Sequence, residues 1–138
     1  MEKFFDPHSV VVVGASNTPF NLGATICNML KDYLQYPGAV YAVNSKGEKV
    51  NGYPGYSSIL DLPESPDLAV IIVAAKNVPR IIGDCARKGI KRVIIESAGF
   101  SEGGSDGKAM QRKIDEIAKA HGIRIMGPNC LGTLDTRK

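Results

Sequence analysis

The chain has 138 residues, 43% of them hydrophobic and 22% charged, with a net charge of +3. That is one domain's worth of a globular protein, long enough to bury a real core. Basic residues are spread rather than clustered, which argues against nucleic acid. No apolar run reaches the length of a membrane span, and Met1-Glu2-Lys3-Phe4-Phe5-Asp6-Pro7 lacks the apolar stretch of a signal peptide.

Val10-Val11-Val12-Val13 is a short, fully apolar, β-branched run of the kind a buried parallel strand needs. Gly14 ends it, and a loop of small and polar residues leads to Gly23. Leu22, Ile26, Met29, Leu30 and Tyr33 recur at helical spacing and predict a helix from about Asn21 to Leu34, broken by Pro37-Gly38. Val40 to Val43 is the second strand. Asn44 to Asn51, then Gly52-Tyr53-Pro54-Gly55, reads as a long exposed loop, and Ser57 to Asp61 as one or two helical turns before Pro63. Leu68 to Val73 is the most apolar segment and predicts a central strand. Asn77 reads as a helix N-cap with Pro79 in the first turn. Val78, Ile81, Ile82, Cys85 and Ala86 form a buried stripe, and Gly89 closes that helix. Val93 to Ile95 is the fourth strand and Gly99 to Gly107 a glycine- and serine-rich loop. Met110, Ile114, Ile117 and Ala118 mark a third full helix that ends at Gly122, before a short fifth strand, Ile123 to Met126.

Five strands alternating with helices predict an α/β, Rossmann-like open parallel sheet, order 3-2-1-4-5, with helices on both faces. Parallel neighbours need crossovers, and these are right-handed. Residues 1–138 read as a single domain. The chain stops soon after the fifth strand, at Thr136-Arg137-Lys138, so it is either a smaller five-stranded form or a piece of a longer, multidomain polypeptide.

Ligands of such sheets bind at the carboxyl ends of the strands. The loop Gly14-Ala15-Ser16 to Gly23 offers unpaired backbone N–H groups to a phosphate. It is neither common type: Ser16 stands at the second glycine position of G-x-G-x-x-G, and no lysine supplies a Walker A ending. The second strand ends in Val43-Asn44-Ser45-Lys46, without the acid that binds the ribose of NAD. Lys46 offers a cation for a sugar phosphate instead, which suits NADP or coenzyme A; the alternative is a solvated lysine. Ser97-Ala98-Gly99 lets a ligand approach the backbone closely, or is simply a glycine-rich turn. Gly127-Pro128-Asn129-Cys130 presents an amide and a thiol. Three cysteines, an odd and widely spaced set, fit reduced thiols in a cytoplasm. Cys27 and Cys85 read as packing residues, and Cys130 as structural. His8 precedes the first strand and His121 ends the last helix, both away from the ligand edge. No general base, metal cluster or nucleophile–base pair stands out, so the chain reads as a binding domain without catalytic residues or a metal.

Phe5-Asp6-Pro7 with Ser9-Val10, Val13-Gly14-Ala15-Ser16, Val43-Asn44, Ser97-Ala98-Gly99-Phe100 and Gly127-Pro128-Asn129-Cys130-Leu131-Gly132 occur in order along the whole chain. Together they resemble the N-terminal CoA-binding domain of ADP-forming acyl-CoA synthetases, relatives of the succinyl-CoA synthetase α subunit. The resemblance implies that Gly14 to Gly23 takes the phosphates of coenzyme A, with Ser16 bonding one of them. It puts Asn44 and Lys46 on the adenosine phosphate side. Val73, Ala74 and Ala75 would line the pantetheine path, and Ser97, Ala98, Gly99 and Asn129 would stand near the thiol end. The family usually has proline where Ser45 and Ala74 stand, so the second and third loops depart from its pattern. The parent enzymes interconvert acyl-CoA, phosphate and ADP with acid, CoA and ATP through an acyl phosphate and a phosphorylated histidine in a following domain. The resemblance therefore implies CoA or acyl-CoA as ligand, the remaining synthetase domains or an ATP-binding subunit as partners, room for an oligomer, and no activity of this chain alone. The competing readings are a stand-alone CoA- or nucleotide-sensing module and an NADP-binding domain of a reductase.

Overall fold

The computed structural model describes residues 2–130, 132 and 136. Met1, Leu131 of the terminal motif, and Arg137-Lys138 lie outside the described residues. Six parallel strands form one sheet: β1 (Ser9–Val13), β2 (Ala39–Val43), β3 (Gly55–Tyr56), β4 (Leu68–Ile71), β5 (Arg92–Ile95) and β6 (Arg124–Met126). Their order is β3-β2-β1-β4-β5-β6, the Rossmann-like arrangement read from the alternation, with one strand more. The added strand, Gly55–Tyr56, lies in a stretch read as loop and takes the outer place beyond β2. Leu68–Ile71 is thereby the fourth strand and pairs with β1 from Val10↔Leu68 to Val13↔Ile71.

The strands bury side chains on both faces because helices cover both. On one face Val11, Val13, Ala69, Ile71, Val93 and Ile95 pack under α3 (Val78–Lys88) and α4 (Gly104–His121). On the other, Val10, Val12, Ala42, Leu68, Val70 and Ile94 meet Phe4 of α1 (Glu2–Phe5) and Cys27 of α2 (Leu22–Asn28). Neighbouring strand residues alternate between the two sets, as the pleat requires. Each fully buried valine, leucine or isoleucine among them contributes about 1.5–3 kcal/mol. Burial pushes the Cys27 thiol up to about 11 and the Cys85 thiol up to about 12, so both are protonated packing groups. Among the described residues, no helix is long and apolar enough to cross a membrane.

Four local expectations need correction. The helix read from Asn21 to Leu34 is α-helical only to Asn28 and continues as a π segment, Met29–Tyr33. Its periodic apolar residues are only partly its buried ones: Gly23 and Cys27 face the sheet and Ile26 and Leu30 pack partly against the core, whereas Leu22, Met29 and Tyr33 stand exposed. The stretch after β2 is not open loop throughout, because Val50 is buried and bridges Tyr53. Asn77 does not cap α3 with its side chain. A 3₁₀ turn, Ala75–Asn77, feeds the helix directly and already puts Asn77 in the right-handed region. The glycine-rich segment after β5 is largely structured, with α4 starting at Gly104. A Cβ at Gly107 would overlap the carbonyl of the fully buried Phe100, so glycine is what lets the first turn of α4 settle there.

Candidate functional site

Every loop that leaves a strand at its carboxyl end emerges on one edge of the sheet. Gly14 follows β1 with φ +101°, and its N–H donates to the Val43 carbonyl at 2.8 Å. A Cβ there would overlap the Ile72 carbonyl oxygen. Asn21 organises the loop that follows. Its Oδ1 accepts from the Ala24 N–H at 2.8 Å, capping α2, and from the Ser16 N–H at 3.1 Å, while Nδ2 donates to the Gly14 carbonyl at 3.0 Å. The Ser16 hydroxyl donates to Thr18 Oγ1 at 3.2 Å. A Cβ on Gly23 would stand 2.6 Å from Ala15 Cα, so glycine lets the start of α2 lie against the buried Ala15.

After β2, Asn44 is buried and holds its own loop. Its Nδ2 donates to the Glu48 carbonyl at 2.9 Å, and its Oδ1 accepts from the N–H groups of Lys46 at 3.2 Å and Glu48 at 3.1 Å. Lys46 projects from that turn and is exposed. Asn17 joins the first loop to this one by donating from Nδ2 to the Lys49 carbonyl at 2.8 Å.

Ser97 knots the remaining three loops. It is buried, its hydroxyl accepts from the Val73 N–H at 3.1 Å, and its carbonyl accepts from the Asn129 N–H at 3.0 Å. Ala75 Cβ would lie 3.4 Å from a Cβ on Gly99, so the loops after β4 and β5 also touch. Ala74, Ala98 and the Asn129 side chain are exposed. The Gly99 N–H donates to Glu102 Oε1 at 2.7 Å, which holds that carboxyl below its ordinary range. Glu96, half-buried at the end of β5, is pushed up by desolvation.

The thirteen positions singled out from sequence thus fall into two joined groups. Gly14, Ala15, Ser16, Gly23, Asn44 and Lys46 sit around the ends of β1 and β2. Val73, Ala74, Ala75, Ser97, Ala98, Gly99 and Asn129 sit around the ends of β4, β5 and β6. The groups meet where the Ile72 N–H donates to the Val13 carbonyl at 2.9 Å. The edge is lined mainly by backbone and small side chains, which suits an elongated ligand held by N–H groups. Two side chains, Asn44 and Ser97, brace loops: Asn44 with its oxygen and one N–H, Ser97 with its hydroxyl oxygen as an acceptor. Sequence reasoning missed Asn21 and Glu102. An asparagine at a helix start is a signal for the former; a glutamate three residues past a glycine gave none for the latter. His8 and His121 lie at the opposite edge: His8 Nδ1 is 3.0 Å from Lys3 Nζ, and the His121 carbonyl accepts from Lys91 Nζ at 2.7 Å.

Comparison with known proteins agrees with this geometry. The family model described as CoA binding domain matches residues 8–136. An ADP-forming acetate–CoA ligase I of Archaeoglobus fulgidus is 42% identical over 136 residues, 99% of this chain and 19% of the ligase. The α subunit of an ADP-forming acetate–CoA ligase II of Pyrococcus furiosus is also 42% identical, with 99% of this chain and 29% of the subunit covered. Among solved structures, a dinucleotide-forming acetyl-coenzyme A synthetase 1 of Ca. Korarchaeum cryptofilum, in complex with phosphate and ADP, superposes with a TM-score of 0.86 at 32% identity, over 95% of this chain and 28% of that one. A Pyrococcus horikoshii OT3 protein gives 0.87 at 44% identity, covering 95% and 30%. The chain therefore spans under a third of these relatives. It belongs to the CoA-binding domain family and corresponds to the CoA-binding part of ADP-forming acetate–CoA ligases.

Proposed function

We propose that residues 1–138 form one module that holds coenzyme A, or its acyl thioester, along the carboxyl edge of the sheet for an ADP-forming acid–CoA ligase. The observation that carries this reading is the continuity of that edge: five loops are hydrogen-bonded into one surface, from the Gly14–Gly23 loop to Asn129. The pyrophosphate lies over the Gly14–Gly23 loop, where the N–H groups of Gly14 and Ser16 are already taken by Val43 and Asn21 and the Ser16 hydroxyl turns from Thr18 to act as a donor. Lys46 pairs with the adenosine phosphate. Pantetheine runs along Val73, Ala74 and Ala75, and the thiol ends near Ser97, Ala98, Gly99 and Asn129. Asn44 acts through its turn, by aiming Lys46, rather than by touching the ligand.

The rest of the ligase chemistry belongs to other domains or a second subunit. This chain supplies binding and orientation; the acyl phosphate and the nucleotide have to come to the CoA that it presents. Lys46→Ala tests the assignment. It should weaken CoA roughly tenfold and leave dephospho-CoA within about twofold, since only CoA carries the phosphate that Lys46 would pair with. Equal losses for the two ligands would put Lys46 on a different phosphate, and no loss for either would make it a solvated lysine.

A further inference from the structure

All five large hydrophobic side chains that stand exposed among the described residues fall between positions 20 and 34: Phe20, Leu22, Met29, Tyr33 and Leu34. Scattered singly, such residues would be ordinary; concentrated on one element they mark an interaction face. The helix explains how they line up. Leu22 on α2 and Met29 at the start of the π segment lie seven residues apart on one outer side, with Ile26 between them packed partly against the core, while Gly23 and Cys27 face the sheet. The π segment then prolongs the stripe, its Leu34 N–H reaching back to the Met29 carbonyl at 2.9 Å and leaving Tyr33 82% and Leu34 65% exposed. At the other end, Phe20 holds φ +61° with its ring fully exposed, a conformation that is an outlier for a bulky residue. Leu34 also lines a groove of about 710 Å³ with Phe5, Pro7, Tyr36 and Pro37 at the amino edge of the sheet. An apolar face therefore runs from the first ligand loop, across the outside of α2, to the opposite end of the domain.

We propose that this face is the seat of the ligase polypeptide that accompanies the CoA-binding domain, and that it brings that polypeptide to the CoA edge. Two observations select this occupant. The matched segment is only 19–29% of the Archaeoglobus and Pyrococcus relatives, so most of such an enzyme is available to pack against the domain. The stripe also begins inside the Gly14–Gly23 loop, so an element seated on it is delivered to where the CoA phosphates are held. A second copy of this chain would cover the same side chains without bringing new chemistry to that edge. The inference rests on the proposed function and is tested apart from it.

The test joins this chain to the part of the Pyrococcus furiosus α subunit outside its own matched segment, and compares the fusion with the 138-residue chain. Hydrogen exchange at residues 20–34 should slow by about tenfold or more in the fusion. The triple variant Met29→Gln, Tyr33→Ser, Leu34→Gln should remove that protection. In the 138-residue chain the same variant should leave CoA affinity within about twofold and the melting temperature within about 2 °C, because the side chains are exposed there. Equal exchange in fusion and free chain, with both binding CoA, would overturn the docking face and leave the binding function standing. Sedimentation of the free chain as a dimer that the triple variant dissolves would assign the face to self-association, and overturn it too. Protection in the fusion without CoA binding by either protein would support the docking face while removing the proposed function.

Discussion

Asn21 shows how one side chain can set the shape of a ligand loop. It caps α2 and holds both ends of Gly14–Ser16, so Asn21→Ala removes three hydrogen bonds at once. Loss of the cap alone costs about 1 kcal/mol. The freed Ser16 N–H and Gly14 carbonyl let the loop drift, and CoA binding should fall roughly tenfold, measured by titration. Unchanged affinity would mean that the loop geometry does not depend on Asn21. A second residue-scale link lies at the far edge. Asp67 accepts from Lys3 Nζ at 2.8 Å and from the His8 N–H at 2.8 Å, tying α1 to the start of β4. The Lys3 hydrogen bond lowers the Asp67 pKa against a smaller opposing effect of desolvation. A carboxylate with a lowered folded-state pKa contributes stability that is complete above its unfolded value and is lost as pH falls through its folded value. Both side chains are partly exposed, so screening leaves about 1 kcal/mol. Asp67→Asn should therefore lower the melting temperature by roughly 3–5 °C at pH 7, and the gap to the parent should close as the pH falls through the carboxylate range. A gap that widens in acid would contradict the assignment.

At the scale of elements, what the sequence reveals depends on whether one partner or several decide the structure. The buried strands are legible because Val10 to Val13 and Leu68 to Ile71 are apolar at every position, which only a sheet covered on both faces accommodates. β3 is not legible: Gly55 and Tyr56 carry no strand pattern, and pairing to Ala42 and Val43 alone makes them a strand. The helix after β1 misleads for a related reason. Its apolar period is real, but it records the exposed stripe as much as the buried face, and packing of small residues settles which side meets the sheet. Gly23→Ala puts that packing to a test with opposing signs. Replacing a helical glycine would by itself stabilise by up to about 1 kcal/mol. The new methyl, however, would lie 2.6 Å from Ala15 Cα and 2.7 Å from Ala15 N, backbone atoms that have to shift, at a cost of roughly 1–3 kcal/mol. The variant should be less stable by chemical denaturation and weaker for CoA. A more stable protein with full affinity would show that the close approach is not required.

For the molecule as a whole, the parallel order of the sheet delivers every strand's carboxyl-end loop to one edge, the edge proposed to hold CoA. That much is readable from alternating strand and helix patterns, as is the set of loops concerned. How those loops are braced is not, since Asn44 holds its own turn and Ser97 ties backbone from the loops after β4 and β6, bonds that no sequence spacing displays. The contrast with a nicotinamide-binding sheet rests on what stands at that edge: Ser16 in the second glycine place, no acid after Val43, and an exposed Lys46. The most direct test of the account is calorimetric titration of the 138-residue chain with CoA and with NADP under the same conditions. Saturable binding of CoA, one per chain, is expected, with NADP at least about tenfold weaker. Binding of NADP without any response to CoA would contradict it.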